Sequence, residues 1–128
     1  MTSGRRLLTT GSHFEEELSY SRAVVQGDWC FVSGITGYDY ARMDLPEDIE
    51  RQVTNCFDTL ERVLAEAGFA PEHIVRVHYI FRDRADVAPA KPIIGARMAA
   101  VRPAATMILA DMMVEEMRFE LEVTAFRG

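Results

Sequence analysis

The residues with chemistry to offer are few, and Glu120 is the foremost. It stands in the alternating run Met117–Phe126, "MRFELEVTAF", where Phe119, Leu121, Val123 and Ala125 take one face and Arg118, Glu120, Glu122 and Thr124 the other. A carboxylate on such a polar face, partly withdrawn from water at a subunit boundary, gains proton affinity and becomes a general base or hydrogen-bond acceptor. The alternative is a plain exposed strand residue. Tyr20 and Arg22, two positions apart at the start of a strand, present a phenol and a guanidinium to one region. His78 is read as a hydrogen-bonded or exposed strand histidine, and Glu15, Glu16 and Glu17 as a solvated cluster. No Walker loop, GxGxxG, HExxH or GxSxG pattern occurs, and His13, His73 and His78 lack the spacing of a ligand set. Neither a metal nor a cofactor is expected. The stretch Arg102–Ile108, "RPAATMI", suits a strand but carries no evident chemistry of its own.

The elements that must position these groups follow from patterning. "RRLLTT" predicts a short strand and "GSHFEEELSY" a polar loop, 11–19, placed just before Tyr20 where it can close over a cleft. "SRAVVQGDWCFVSG" predicts a hairpin turning at Gly27-Asp28. Asp44 followed by Glu47, with Pro46 in the first turn, resembles a capping box. The apolar stripe Ile49, Val53, Cys56, Phe57, Leu60, Val63, Leu64 and Ala67 then predicts a long helix closed by Gly68. "HIVRVHYIFRD" predicts a strand with Val75, Val77, Tyr79 and Phe81 on one face and Arg76 and His78 on the other. A second helix follows Asp86, its regular part delayed or kinked by Pro89 and Pro92. "ATMILADMM" and "MRFELEVTAF" close the chain as two strands joined around Glu115-Glu116. The fold class is therefore α/β, or α+β: a mixed sheet with two helices on one face, the other face left for a second subunit to cover.

The totals bound the rest. A chain of 128 residues fits one domain, 1–128, with a small core that favours self-association. Apolar residues at 48% and charged residues at 27% exclude disorder. A net charge of -6 repels phosphate backbones and anionic membranes, so no nucleic-acid or membrane partner is expected. Cys30 and Cys56 lie in apolar-patterned segments without CxxC spacing and are expected as buried thiols, which suits a reducing cytoplasm. No apolar run has the length of a signal-peptide core or a membrane span.

Taken in order, "YSRAV", "GDWCFVSGITG", "DIERQVTNCFDTLERVLAEAG", "HIVRVHYIFRDRAD" and "RPAATMI…FELEVTAF" closely resemble the Rid family, also called YjgF and endoribonuclease L-PSP, from about Tyr20 to Phe126. The resemblance implies a chorismate-mutase-like fold and a barrel-centred homotrimer with small-molecule clefts between subunits. It also implies hydrolysis of reactive imines or enamines such as 2-aminoacrylate. The family cleft uses a tyrosine, the backbone of an "SG" turn, a "PARS" arginine that clamps the substrate carboxylate, a cysteine two residues later and a glutamate on the last strand. By position these fall on Tyr20, Ser33 and Gly34, Ala105, Met107 and Glu120, with Thr106 between the two replaced positions.

"RPAATMI" thus resembles the family's substrate-anchoring strand with its anchor missing. Losing a desolvated bidentate contact to a carboxylate costs roughly 2–5 kcal/mol of binding. Standard 2-imino acid deamination is therefore not expected, and neutral or cationic ligands are preferred to amino-acid-like anions. Arg22, on the face of Tyr20, is the better candidate substitute; Arg102 points to the opposite face if its strand is regular. Two readings follow: an imine or enamine hydrolase with altered range, using Glu120 as base, or a non-catalytic ligand-binding or regulatory subunit. A ribonuclease lacks support, since no basic footprint or histidine pair is present.

Overall fold

In the computed structural model, which describes residues 4–128, the period-two runs form strands and the long period-3.6 run forms a helix. The order is β1 (Arg5–Leu8), α1 (His13–Leu18), β2 (Ala23–Gln26), β3 (Trp29–Thr36), α2 (Ile49–Ala67), β4 (Ile74–Phe81), α3 (Val87–Met98), β5 (Ala104–Leu109) and β6 (Phe119–Phe126). One six-stranded sheet runs β1-β2-β3-β6-β4-β5. Every neighbouring pair is antiparallel except β4 and β5, whose parallel pairing needs the crossover that α3 supplies.

The apolar stripe of α2 packs on one face of this sheet. Val53, Cys56, Phe57, Leu60 and Leu64 meet Ile35, Val77, Leu121 and Val123 in one core. Burying each large aliphatic or aromatic side chain is worth roughly 1.5–3 kcal/mol. Next to α2 lies α3, tied by Arg97, which donates to Asp58 and Glu61 at 2.9 and 3.0 Å. Trp29, Phe31 and Phe126 stand exposed on the opposite sheet face. Both cysteines are buried free thiols. Among the described residues no helix is long and apolar enough to cross a membrane.

Several expectations need correction. The segment read as a polar loop, 11–19, contains α1, capped by Ser12 and closed by Ser19 in the left-handed region at φ 58°. Its helicity comes from tertiary anchoring of Glu15, which pattern alone does not reveal. α2 is capped by Asp48, whose side chain accepts from the Arg51 N–H at 3.0 Å, and not by Asp44, which is engaged with Asp39 in a β-bridge. Val75 leaves the face of Val77 because the β4–β6 ladder shifts register between Ile74 and Arg76, and it is 44% exposed. α3 begins at Val87, ahead of both prolines: Pro89 falls in the first turn, where no N–H partner is missing, and the helix runs on through Pro92. β5 ends at Leu109, so 110–113 belong to the connection into β6.

Candidate active site

Glu120 reaches its position because β6 lies between β3 and β4, pairing with Thr36 on one side and Ile80 on the other. Its carboxylate leans over Gly34, where an added Cβ would collide with a carboxylate oxygen and meet Cδ at 2.7 Å, so a larger residue there would displace the Glu120 side chain. Ser33 and Gly34, expected in a turn, form a bulge within β3: the register with β6 shifts between Val32 and Ile35. The bulge turns the Gly34 carbonyl toward Arg22, which donates to it at 2.6 Å. Ser33 Oγ donates to the Ser21 carbonyl at 2.6 Å, locking the segment that carries Tyr20 and Arg22 against β3.

Arg22 is 1% exposed. Its Nε lies 3.6 Å from the Glu15 carboxylate, and its guanidinium stacks 4.8 Å from the Tyr40 ring centre and 5.8 Å from that of Tyr20. Burial alone would raise the Glu15 carboxyl, but hydrogen bonds from Thr10 and Thr9 and the Arg22 charge hold it below its ordinary value. Arg22 therefore lies beneath the site with its charge opposed by Glu15, a poor position for clamping a ligand. Tyr40 completes the floor; its hydroxyl accepts from the Thr36 N–H at 3.0 Å, and burial pushes its phenol up.

Above this floor opens a cleft of about 480 Å³. Tyr20, Gly34, Thr36, Tyr40, Ile80 and Glu120 form its base, while α1 and the connection from β5 to β6 form its rim. Glu120 is half-buried and has no hydrogen-bond donor among the described residues. Burial first and Glu122 second raise its carboxyl above the ordinary range, with Arg22 acting in the opposite direction. A desolvated, unpaired carboxylate facing a cavity is equipped to accept a proton or an N–H.

The cleft's fold and the chain's sequence have known counterparts. Residues 10–127 match the family described as Endoribonuclease L-PSP. The chain belongs to this family, the Rid or YjgF family. An uncharacterised protein of Streptomyces coelicolor is 27% identical over 96% of this chain and 92% of its own length. A member of the YjgF/YER057c/UK114 family from Mycobacterium tuberculosis superposes with a TM-score of 0.87 at 25% identity, over 96% of this chain and 99% of that one. A YjgF-family protein from Neisseria meningitidis gives 0.82 at 25% identity, covering 100% and 98%.

Within this Rid-family chain, one copy brings Tyr20, Gly34 and Glu120 to the cleft, with Arg22 and Ser33 directly behind them. It does not bring Ala105, Thr106 or Met107 there. Ala105 and Met107 pair with Val77 and Tyr79, the face turned to the helices, whereas Glu120 pairs with Ile80 on the uncovered face. Thr106 shares the uncovered face with His78 and accepts from Arg76 at 3.2 Å. Arg102 lies outside β5, at φ 49°, so the regular-strand argument for its direction does not apply. His78 joins Glu122 at 3.1 Å rather than the cleft.

Sequence reasoning missed Phe14, Leu18, Thr36, Tyr40 and the methionines of the rim. The methionines had a signal: "DMMVEEM" packs three of them into a connection that solvation alone would make polar. Tyr40 had none, because its burial depends on Arg22 and Thr36 from other segments.

Proposed function

We propose that this Rid-family protein assembles as a homotrimer and binds a small metabolite lacking a carboxylate in clefts between subunits, where it hydrolyses an imine- or enamine-type C=N bond. The half-buried Glu120 carboxylate, unpaired at the base of the cleft, is the observation that carries this reading. It takes a proton from water as the water oxygen bonds to the imine carbon and passes it to the nitrogen, then carries the carbinolamine hydroxyl proton to the nitrogen as the carbonyl forms and the C–N bond breaks. The products are a carbonyl compound and ammonia. Tyr20 orients the ligand through its hydroxyl, and Gly34 gives the carboxylate room.

Assembly is supported by the uncovered sheet face. Trp29, Phe31 and Phe126 are 42%, 47% and 37% exposed there, and His78 Nε2 is buried with no hydrogen-bond partner in the single chain. A cleft that combines Glu120 with the Ala105 strand needs two copies, since the two lie on opposite faces of one sheet.

A second reading, a non-catalytic ligand-binding subunit, is favoured by Ala105 and Met107, which stand where the family's arginine and cysteine are expected. Ammonia release from 2-aminoacrylate generated in situ separates the readings. Wild type is expected to be inactive on this anion and Ala105→Arg active, with activity lost again in Ala105→Arg/Glu120→Gln. Inactivity of Ala105→Arg with the trimer intact would favour the non-catalytic reading.

A further inference from the structure

We propose that the cleft takes a hydrophobic monocation, the iminium of a primary alkyl or aralkyl amine, R–CH=NH2+. The inference rests on the cleft being the binding site proposed above and names its substrate class.

The walls decide the body of the ligand. Phe14 and Leu18 from α1, Ile80 from β4, and Met112, Val114 and Met117 from the β5–β6 connection line the cleft. A volume of about 480 Å³ falls within the roughly 300–1,000 Å³ of small-molecule sites. Methionines fit irregular apolar bodies, so the chain or ring is accommodated without a rigid mould.

Charge decides the head. Glu120 lies at the base and Glu17 at the rim, where Asp111 is paired with Arg82 at 3.8 Å, and among the described residues of one copy no lysine or arginine lines the cleft. The buried cation behind it, Arg22, is already opposed by Glu15. The Glu120 carboxylate thus faces the cavity as a free acceptor, a match for the N–H of a cationic nitrogen. A ligand carboxylate would meet the free Glu120 carboxylate at the base and no unpaired cation from the same copy to offset it.

The chemistry balances as R–CH=NH2+ plus H2O giving R–CHO plus NH4+. The water oxygen bonds to carbon, both of its protons pass in turn through Glu120 to nitrogen, the second as the hydroxyl becomes the carbonyl, and the C–N bond breaks. Such an iminium is made by two-electron oxidation of a primary amine, and the product must pass to a reaction that consumes aldehydes. This places the protein after an amine-oxidising step.

Calorimetric titration of the full chain with three probes sharing one body tests the assignment: 3-phenylpropylammonium, 3-phenylpropanamide and 3-phenylpropanoate. The ammonium is expected to bind at least tenfold tighter than the amide, with Glu120→Gln removing most of the difference and the anion not binding. Met113→Lys alters a rim side chain that is 92% exposed, so folding is spared; it should weaken the ammonium and strengthen the anion. Tightest binding by the amide overturns the cationic assignment but leaves the site without a carboxylate preference, as proposed above. Tightest binding by the anion overturns both, and binding of none of the three overturns the hydrophobic monocation.

Discussion

Two glutamates in the same neighbourhood act on the fold with opposite signs. Burial, then Glu122, raises the Glu120 carboxyl, so the folded chain holds that proton more tightly than the unfolded chain. Stability falls as pH rises from the unfolded to the folded value. Glu120→Gln removes this cost and should raise Tm by about 1–3 °C at pH 7, with the gain vanishing near pH 4. Glu15 is the reverse: its folded value is lowered, so its stabilisation is present above the unfolded value and lost as pH falls through the folded one. Glu15→Gln leaves Arg22 buried without its counter-charge and should cost about 3 kcal/mol at pH 7. Scanning calorimetry at the two pH values checks both signs. At this scale Glu120 was legible, because strand alternation put it on the uncovered face. The role of Glu15 was not, because its partners Thr9, Thr10 and Arg22 meet it only through tertiary packing.

At the scale of elements, legibility tracked how far each one depends on its own sequence. Nineteen residues of α2 carry a full apolar stripe and a glycine stop, and they declared the helix without help. The six residues of α1 are too few to be helical alone and owe their form to the Ser12 cap and the Glu15 anchor. The start of α2 was misplaced by four residues because Asp44 offers the same capping chemistry as Asp48. What separates them is the bridge to Asp39, in which the Asp39 N–H donates to the Asp44 carbonyl at 2.8 Å. Asp48→Ala should therefore cost about 1 kcal/mol, and Asp44→Ala less than about 0.5 kcal/mol. Urea melts of the two variants measure the difference directly. The frame beyond the helix end depends on Gln52, fully buried, which donates to the Pro46 and Glu116 carbonyls and accepts from the Arg118 N–H. These bonds hold the base of the β5–β6 connection, and with it the methionine rim of the cleft.

At the scale of the molecule, the second sheet face is what a single chain leaves unfinished. The helices bury one face, where Cys30, Val77, Leu121 and Ala125 are fully enclosed, and leave Phe31 and Trp29 exposed on the other. A single chain thus has a finished core and an unfinished sheet, the pattern by which alternation in β6 pointed to another subunit. Which residues would meet across that boundary was not readable from strand patterns alone. The register of β5 on β4, which turns Ala105 away from Glu120, comes from the crossover through α3. Phe31 is the most exposed of the aromatic group, its ring centre 6.0 Å from that of Trp29, which also meets Phe126 at 4.5 Å. Phe31→Glu adds a charge that solvent accepts on an isolated chain and that an apolar interface rejects, so under the proposed assembly it should leave the helical and strand signal of circular dichroism intact while reducing the sedimenting mass from that of the proposed trimer to that of a monomer. Under the proposed assembly, ligand binding should weaken at the same concentrations, because the wall that β5 of a second copy would add to the cleft is lost when the copies part. If Phe31→Glu sediments as wild type, the aromatic face is solvent-exposed in the assembly and the clefts must be built along a different surface.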